Sequence, residues 1–189
     1  MKRTVWTFGL IAGAIMSVMM VITIPFADRL WEMGTAEVIG YTTIIAAFLL
    51  IFFGIRSYRD NKAGRTISFG RALLVGVLIN VVASACYVAT WELIYYRLYP
   101  DFGERYAAHA IEKERTKGGT EAELAKKIAD MQKFQEMYRN PFFNVAMTFL
   151  EPFSVGLIVS VMSAGILRRR RDHASSLAES TAAGLGALV

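Results

Sequence analysis

The stretch FFNVAMTFLEPFSVGLIVSVMSAGIL, Phe142 to Leu167, decides how this chain is read. A single charge, Glu151, interrupts it, and as a helix it is long enough to cross the roughly 30 Å hydrocarbon core of a bilayer. Lipid offers no partner to backbone N–H and C=O groups, whereas a helix satisfies them internally. Three other runs repeat the pattern. Thr4 to Ala27 carries no charge and would rise about 36 Å at about 1.5 Å per residue. Val38 to Ile55 lies between Glu37 and Arg56, and Ala72 to Trp91 continues through Glu92 into Leu93-Ile94-Tyr95-Tyr96. The expectation is an all-α integral membrane protein with four transmembrane helices, at about 4–27, 38–55, 72–96 and 142–167. An extramembrane helical hairpin, about 101–139, separates spans three and four.

The composition agrees. Of 189 residues, 54% are apolar and 20% charged, against about 45–50% and 25% in ordinary soluble domains. One membrane domain, 1–171, is the natural division at this length, followed by a tail, 172–189, rich in Ala, Ser and Gly and expected to be disordered. The net charge of +5 would suggest nucleic acid in a soluble protein, but here the basic residues flank apolar runs and set topology instead. No nucleic-acid partner is expected. Lys2 and Arg3 also make a basic n-region, yet the first run exceeds the 7–15 apolar residues of a signal-peptide h-region and no A-x-A-like site follows it. A retained anchor is expected.

Lys and Arg collect on one side of the four-span arrangement: Lys2 and Arg3, then Arg56, Arg59, Lys62, Arg65 and Arg71, then Arg168 to Arg171. The loop between spans one and two has Arg29 against Asp28, Glu32 and Glu37. Both termini are therefore expected in the cytoplasm of a bacterial cell, with the chain in the inner membrane. Trp31, Trp91, Tyr95, Tyr96, Tyr99 and Tyr138 gather near the outer interface, Trp6 and Tyr58 near the inner one. Arg56, Arg59, Lys62, Arg65, Arg168, Arg169 and Arg170 are candidate contacts to anionic lipid.

In the hairpin, a first arm is expected over about 102–116, with a turn at Lys117-Gly118-Gly119. Thr120-Glu121-Ala122-Glu123 is a capping box that starts the second arm. Leu124, Ile128, Met131, Gln135 and Tyr138 follow at three- and four-residue steps. That stripe either packs on the first arm and the span ends or docks another envelope protein. Asn140-Pro141 ends the arm and starts span four.

Glu151 is the residue most in need of an account, because an acid within a span costs about 2.5–3.5 kcal/mol on insertion scales. Pro152 follows it and can kink the helix. Three roles compete: a hydrogen bond to Asn80, Ser84, Thr42 or Thr43; an outer-interface pair with a loop cation; or a protonatable site in an ion or substrate path. Glu92, at the outer end of span three, suits the headgroup region, and were it beside Glu151 each carboxylate would raise the other's pKa. Small residues recur every four positions, at Gly9, Gly13 and Ser17; at Gly76, Asn80 and Ser84; and at Gly156, Ser160 and Ala164. Such stripes fit close packing within the chain or a homo-oligomer. Cys86 stands alone, His109 and His173 are isolated, and the glycines at 118 and 119 lack the context of a phosphate loop, so no enzyme and no cofactor or metal is expected.

The runs Ile51-Phe52-Phe53-Gly54-Ile55-Arg56-Ser57-Tyr58-Arg59-Asp60 and Ile67-Ser68-Phe69-Gly70 resemble a family of small bacterial membrane proteins. So do Tyr99-Pro100-Asp101-Phe102, Tyr138-Arg139-Asn140-Pro141, and Phe149-Leu150-Glu151-Pro152 with Val155-Gly156-Leu157-Ile158. This is the family catalogued as domain of unknown function 4199, and the likeness covers roughly residues 4 to 170. It implies four membrane helices with a charged helical loop before the last, and brings no catalytic residue or ligand. Two functions are carried forward. The first is a non-enzymatic membrane scaffold or interaction protein using the hairpin. The alternative is a small oligomeric transporter or channel subunit using Glu151.

Overall fold

In the computed structural model, which describes residues 1–62 and 66–168 apart from the Lys62 side chain, the charge-free runs become helices that outlast them. Helix α1 (Lys2–Thr23) passes through a 3-10 turn at Ile24–Phe26 into α2 (Ala27–Glu32). The first helical segment thus ends five residues beyond the expected Ala27. Pro25 sits at the start of the 3-10 turn, where its missing N–H matters least, and Ile24 and Ala27 both keep right-handed helical dihedrals. The others are α3 (Ala36–Lys62), α4 (Phe69–Leu93) followed by a π turn at Ile94–Leu98, α5 (Phe102–Thr116), α6 (Glu121–Tyr138) and α7 (Pro141–Leu167). Charge ends an apolar run but not a helix, since Arg, Lys and Glu are good helix formers; α3 therefore continues seven residues past Ile55. No strand occurs among the described residues. The segments 2–32, 36–61, 69–98 and 141–167 are each long and apolar enough to cross a membrane.

α4 packs against α1, α3 and α7, and α3 also touches α1 and α7. Met16, Phe48, Ile51, Ile55, Val75 and Ile79 fill the centre and are fully buried. Large apolar side chains also point outward, among them Leu10, Val18, Leu49, Phe53, Ile158 and Met162, while Asn80, Ser84, Asn144, Thr148 and Ser160 lie inside. An apolar exterior around polar interior groups is a distribution that water penalises and lipid does not.

The small-residue stripes are all taken up within the chain. Gly9 faces Val82, Gly13 faces Cys86, and the Thr90 hydroxyl donates to Ser17 Oγ at 2.8 Å, which closes α1 on α4. On the other side of α4, Gly76 faces Ser160, and Gly156 lies so close to Asn80 that a Cβ there would overlap its amide. Asn80 Nδ2 donates to the Phe153 carbonyl at 2.9 Å and its Oδ1 accepts from Ser84 Oγ at 3.3 Å. A buried amide seated on a glycine thus fixes the register of α4 on α7.

α5 and α6 form the expected hairpin, turning at Gly118 with φ +77°. The capping box is complete: the Glu123 N–H donates to Thr120 Oγ1 at 3.3 Å, and the Thr120 N–H donates to Glu123 Oε2 at 2.8 Å. Leu124, Ile128, Met131, Gln135 and Tyr138 are half-buried. Gln135 Nε2 donates to the Gly103 carbonyl at 3.1 Å, so the stripe packs on the chain itself. Hydrogen bonds from the Thr120 backbone and side chain hold the Glu123 carboxyl below the ordinary carboxylate range. This contribution is present above the unfolded pKa of about 4.3 and is lost as pH falls through the lower folded value. Amide exchange in the first turn of α6 is expected to stay slow down to that window and to accelerate below it. Thr120→Ala, which costs about 1 kcal/mol, should speed the same amides at neutral pH; unchanged exchange in either case would mean the cap contributes nothing.

The hairpin folds over the end of the bundle. Arg105 pairs with Asp28 at 2.9 Å and with Asp101 at 2.6 Å. The Phe102 ring lies edge-on to Trp91 at 4.8 Å and tilted against Trp31 at 5.4 Å. At the opposite end, Arg56 and Arg59 pair with Asp60 at 3.7 and 2.8 Å, and Arg168 is exposed. Of the other candidate lipid contacts, the Lys62 side chain, Arg65, Arg169 and Arg170 fall outside the described residues, as does the tail from 172 to 189.

Candidate functional site

α7 runs unbroken through Pro152, whose ring is buried, and Glu151, one residue earlier, is exposed at the edge of that buried face, where it borders the bundle end beneath the hairpin. Two cavities meet there. One, of about 180 Å³, lies between α1, α3 and α4 and is lined by Met16, Met20, Ile39, Gly40, Thr43 and Ile44, among others. The other, of about 530 Å³, lies under the hairpin against Tyr95, Phe134, Tyr138, Arg139 and Thr148. Trp31, Tyr87, Trp91, Phe102 and Glu151 line both, so they form the wall or passage between the two.

The partner of Glu151 is one that the sequence reading did not name. The Tyr87 hydroxyl donates to Glu151 Oε2 across a long 3.5 Å. Three of the four anticipated partners are engaged elsewhere: Asn80 and Ser84 in the α4–α7 seam, and Thr43 with its own Ile39 carbonyl at 2.7 Å. No Lys, Arg or His pairs with Glu151 among the described residues. Glu92 sits one residue past Trp91, half-buried, and lines neither cavity. One of its oxygens is buried with no hydrogen-bond partner.

Above Glu151 on the same face of α7, Thr148 and Asn144 extend a polar ladder at helical spacing. Trp91 Nε1 donates to Asn144 Oδ1 at 3.0 Å, and Thr148 Oγ1 donates to the same oxygen at 3.2 Å. Tyr138 OH and Thr148 Oγ1 lie 3.1 Å apart, which ties α6 to α7. Burial, above all, pushes the Tyr138 hydroxyl up, so it stays protonated. Asn144 Nδ2 is buried without a partner. The sequence did contain a signal for this ladder, because Asn144, Thr148 and Glu151 stand at i, i+4 and i+7 on one helix face. Tyr87 carried none, since an aromatic residue within an apolar run reads as core.

The arrangement offers two carboxyl groups, Glu151 and Glu104, one guanidinium, Arg139, several aromatic rings and an apolar recess. Among the described residues, no group of three or more His, Cys, Asp or Glu side chains is placed to hold a metal ion. A family model described as "Protein of unknown function (DUF4199)" matches residues 7–169. No curated protein and no solved structure matches the chain.

Proposed function

The chain belongs to the DUF4199 family of proteins of unknown function, and from that premise we propose that it is a non-enzymatic integral membrane protein that binds a small molecule beside Glu151. The observation that carries this reading is the pair of cavities, about 180 and 530 Å³, that meet at Glu151 under a roof made by the hairpin. Ligand pockets are typically concave, mostly apolar and furnished with few polar groups, in the range of about 300–1,000 Å³. Four helices apolar enough to span and an apolar outer surface support insertion in a membrane. Lys2, Arg3, Arg56, Arg59, Arg71 and Arg168 lie at the end away from the hairpin, which supports a cytoplasmic position for that end in a bacterial inner membrane.

Between the two functions carried from the sequence, the geometry favours the one centred on Glu151. A docking hairpin needs a free apolar face, and the stripe of α6 is half-buried on its own chain. The chamber lies in the half of the bundle nearest the hairpin, above the packed layer of Phe48, Ile51 and Ile79, and so suits a binding step reached from the non-cytoplasmic side. Gly40 lines the smaller cavity, with open space where a Cβ would stand. Native mass spectrometry of the chain released from cell membranes is expected to show a bound small molecule that Gly40→Phe displaces. Identical ligand-free spectra for both proteins would remove the reading.

A further inference from the structure

The chemistry of the chamber specifies the charge of its guest, and this inference rests on the reading of the chamber as a small-molecule site. Glu151 lines both cavities, and no cationic side chain pairs with it among the described residues. The other charged groups of the larger cavity, Glu104 and Arg139, are opposite in sign, and the smaller cavity has no charged lining residue besides Glu151. The balance of the chamber is therefore one uncompensated carboxylate. A charge within an apolar span is expensive and is found paired or functional. The residues that share the junction with it are aromatic: Trp31, Tyr87, Trp91 and Phe102. Ring faces attract cations, and Glu151 itself is exposed at the edge of the junction, within reach of a guest.

We infer that the chamber takes a lipophilic organic cation, its charged centre against Glu151 and the ring faces and its apolar arms in the recess lined by Met16 and Met20. A small, strongly hydrated metal ion fits less well, because it needs six or more oxygen ligands and the junction supplies two carboxylate oxygens and a phenol.

The test uses three probes of similar bulk and different charge: tetraphenylphosphonium, tetraphenylborate and uncharged triphenylmethanol. Binding to the full chain in detergent micelles is followed by calorimetry and by the shift in melting temperature. The phosphonium is expected to bind at least about tenfold more tightly than either other probe, and Glu151→Gln should erase that preference while leaving triphenylmethanol within about twofold. Glu151→Asp, which keeps the charge, should retain part of the preference, and the melting temperature without probe reports whether each variant is folded. Equal binding of all three probes, a preference for the borate or the alcohol, or phosphonium binding that survives Glu151→Gln would overturn the cationic guest and leave the chamber standing as a binding site. Binding of none would overturn both.

Discussion

Gly156→Ala is expected to destabilise the protein by about 2–3 kcal/mol, although alanine is the better helix former. The added Cβ would overlap the Asn80 amide, and forcing a methyl into a packed seam costs about 1–3 kcal/mol. Asn80 would have to leave the Phe153 carbonyl, to which it donates at 2.9 Å, and a buried polar group left unpaired costs about 1–3 kcal/mol more. The melting midpoint in micelles and the midpoint of denaturation by sodium dodecyl sulfate should both fall. Gly40→Ala is the control: its Cβ would meet nothing within 4 Å, and the gain in helix propensity makes it neutral or slightly stabilising. Asn80→Ala should relieve most of the cost of Gly156→Ala, because the overlap disappears with the amide. Equal stability of Gly156→Ala and the parent would show that the seam is looser than its geometry indicates.

Phe102→Ala is expected to release the hairpin from the bundle. The ring is half-buried, contacts Trp91 at 4.8 Å and Trp31 at 5.4 Å, and lines both cavities. Its loss should cost about 2–3 kcal/mol, below the 3–5 of a fully buried phenylalanine. Amide exchange over 102–138 should then accelerate by about 30-fold or more, since each 1.4 kcal/mol is a factor of ten. The α1–α4 seam at Gly9, Gly13 and Ser17 lies outside the affected region and should exchange as before. Acceleration of both regions together would mean that the roof and the bundle unfold as one unit.

Much of this architecture is written in local patterns. The charge-free runs located the four long helices, and Lys117-Gly118-Gly119 with Thr120 and Glu123 located the turn and cap, because a cap depends on residues three positions apart. The helices outlast the apolar runs where charged residues such as Asp28 and Arg56 continue them. Glu151 stood out by its cost, but its surroundings did not. Asn80, a candidate partner by type, instead bonds the Phe153 carbonyl, and backbone acceptors have no signature in a sequence. The Tyr87 hydroxyl reaches Glu151 from a helix 64 positions away in the chain, a pairing set by how α4 rotates against α7. That rotation follows from Gly156 and Gly76 receiving Asn80 and Ser160, which the stripes showed only as two faces able to approach closely.

The hairpin leaves the bundle and returns to it almost without a break. The Tyr99 N–H closes the π turn on the Ile94 carbonyl at 2.8 Å, and at the other end the Asn144 N–H reaches the Asn140 carbonyl at 3.0 Å as α7 begins. The roof is therefore an arch with both feet on α4 and α7, the two helices that meet in the Asn80–Gly156 seam. Its flank over α2 is held by the exposed Arg105–Asp28 pair and by Trp31, whose ring meets Phe102, Tyr106 and His109. Exposed ion pairs weaken with salt. Of the ties between α2 and the arch, ionic strength therefore weakens the ion pair and leaves the ring contacts of Trp31 in place.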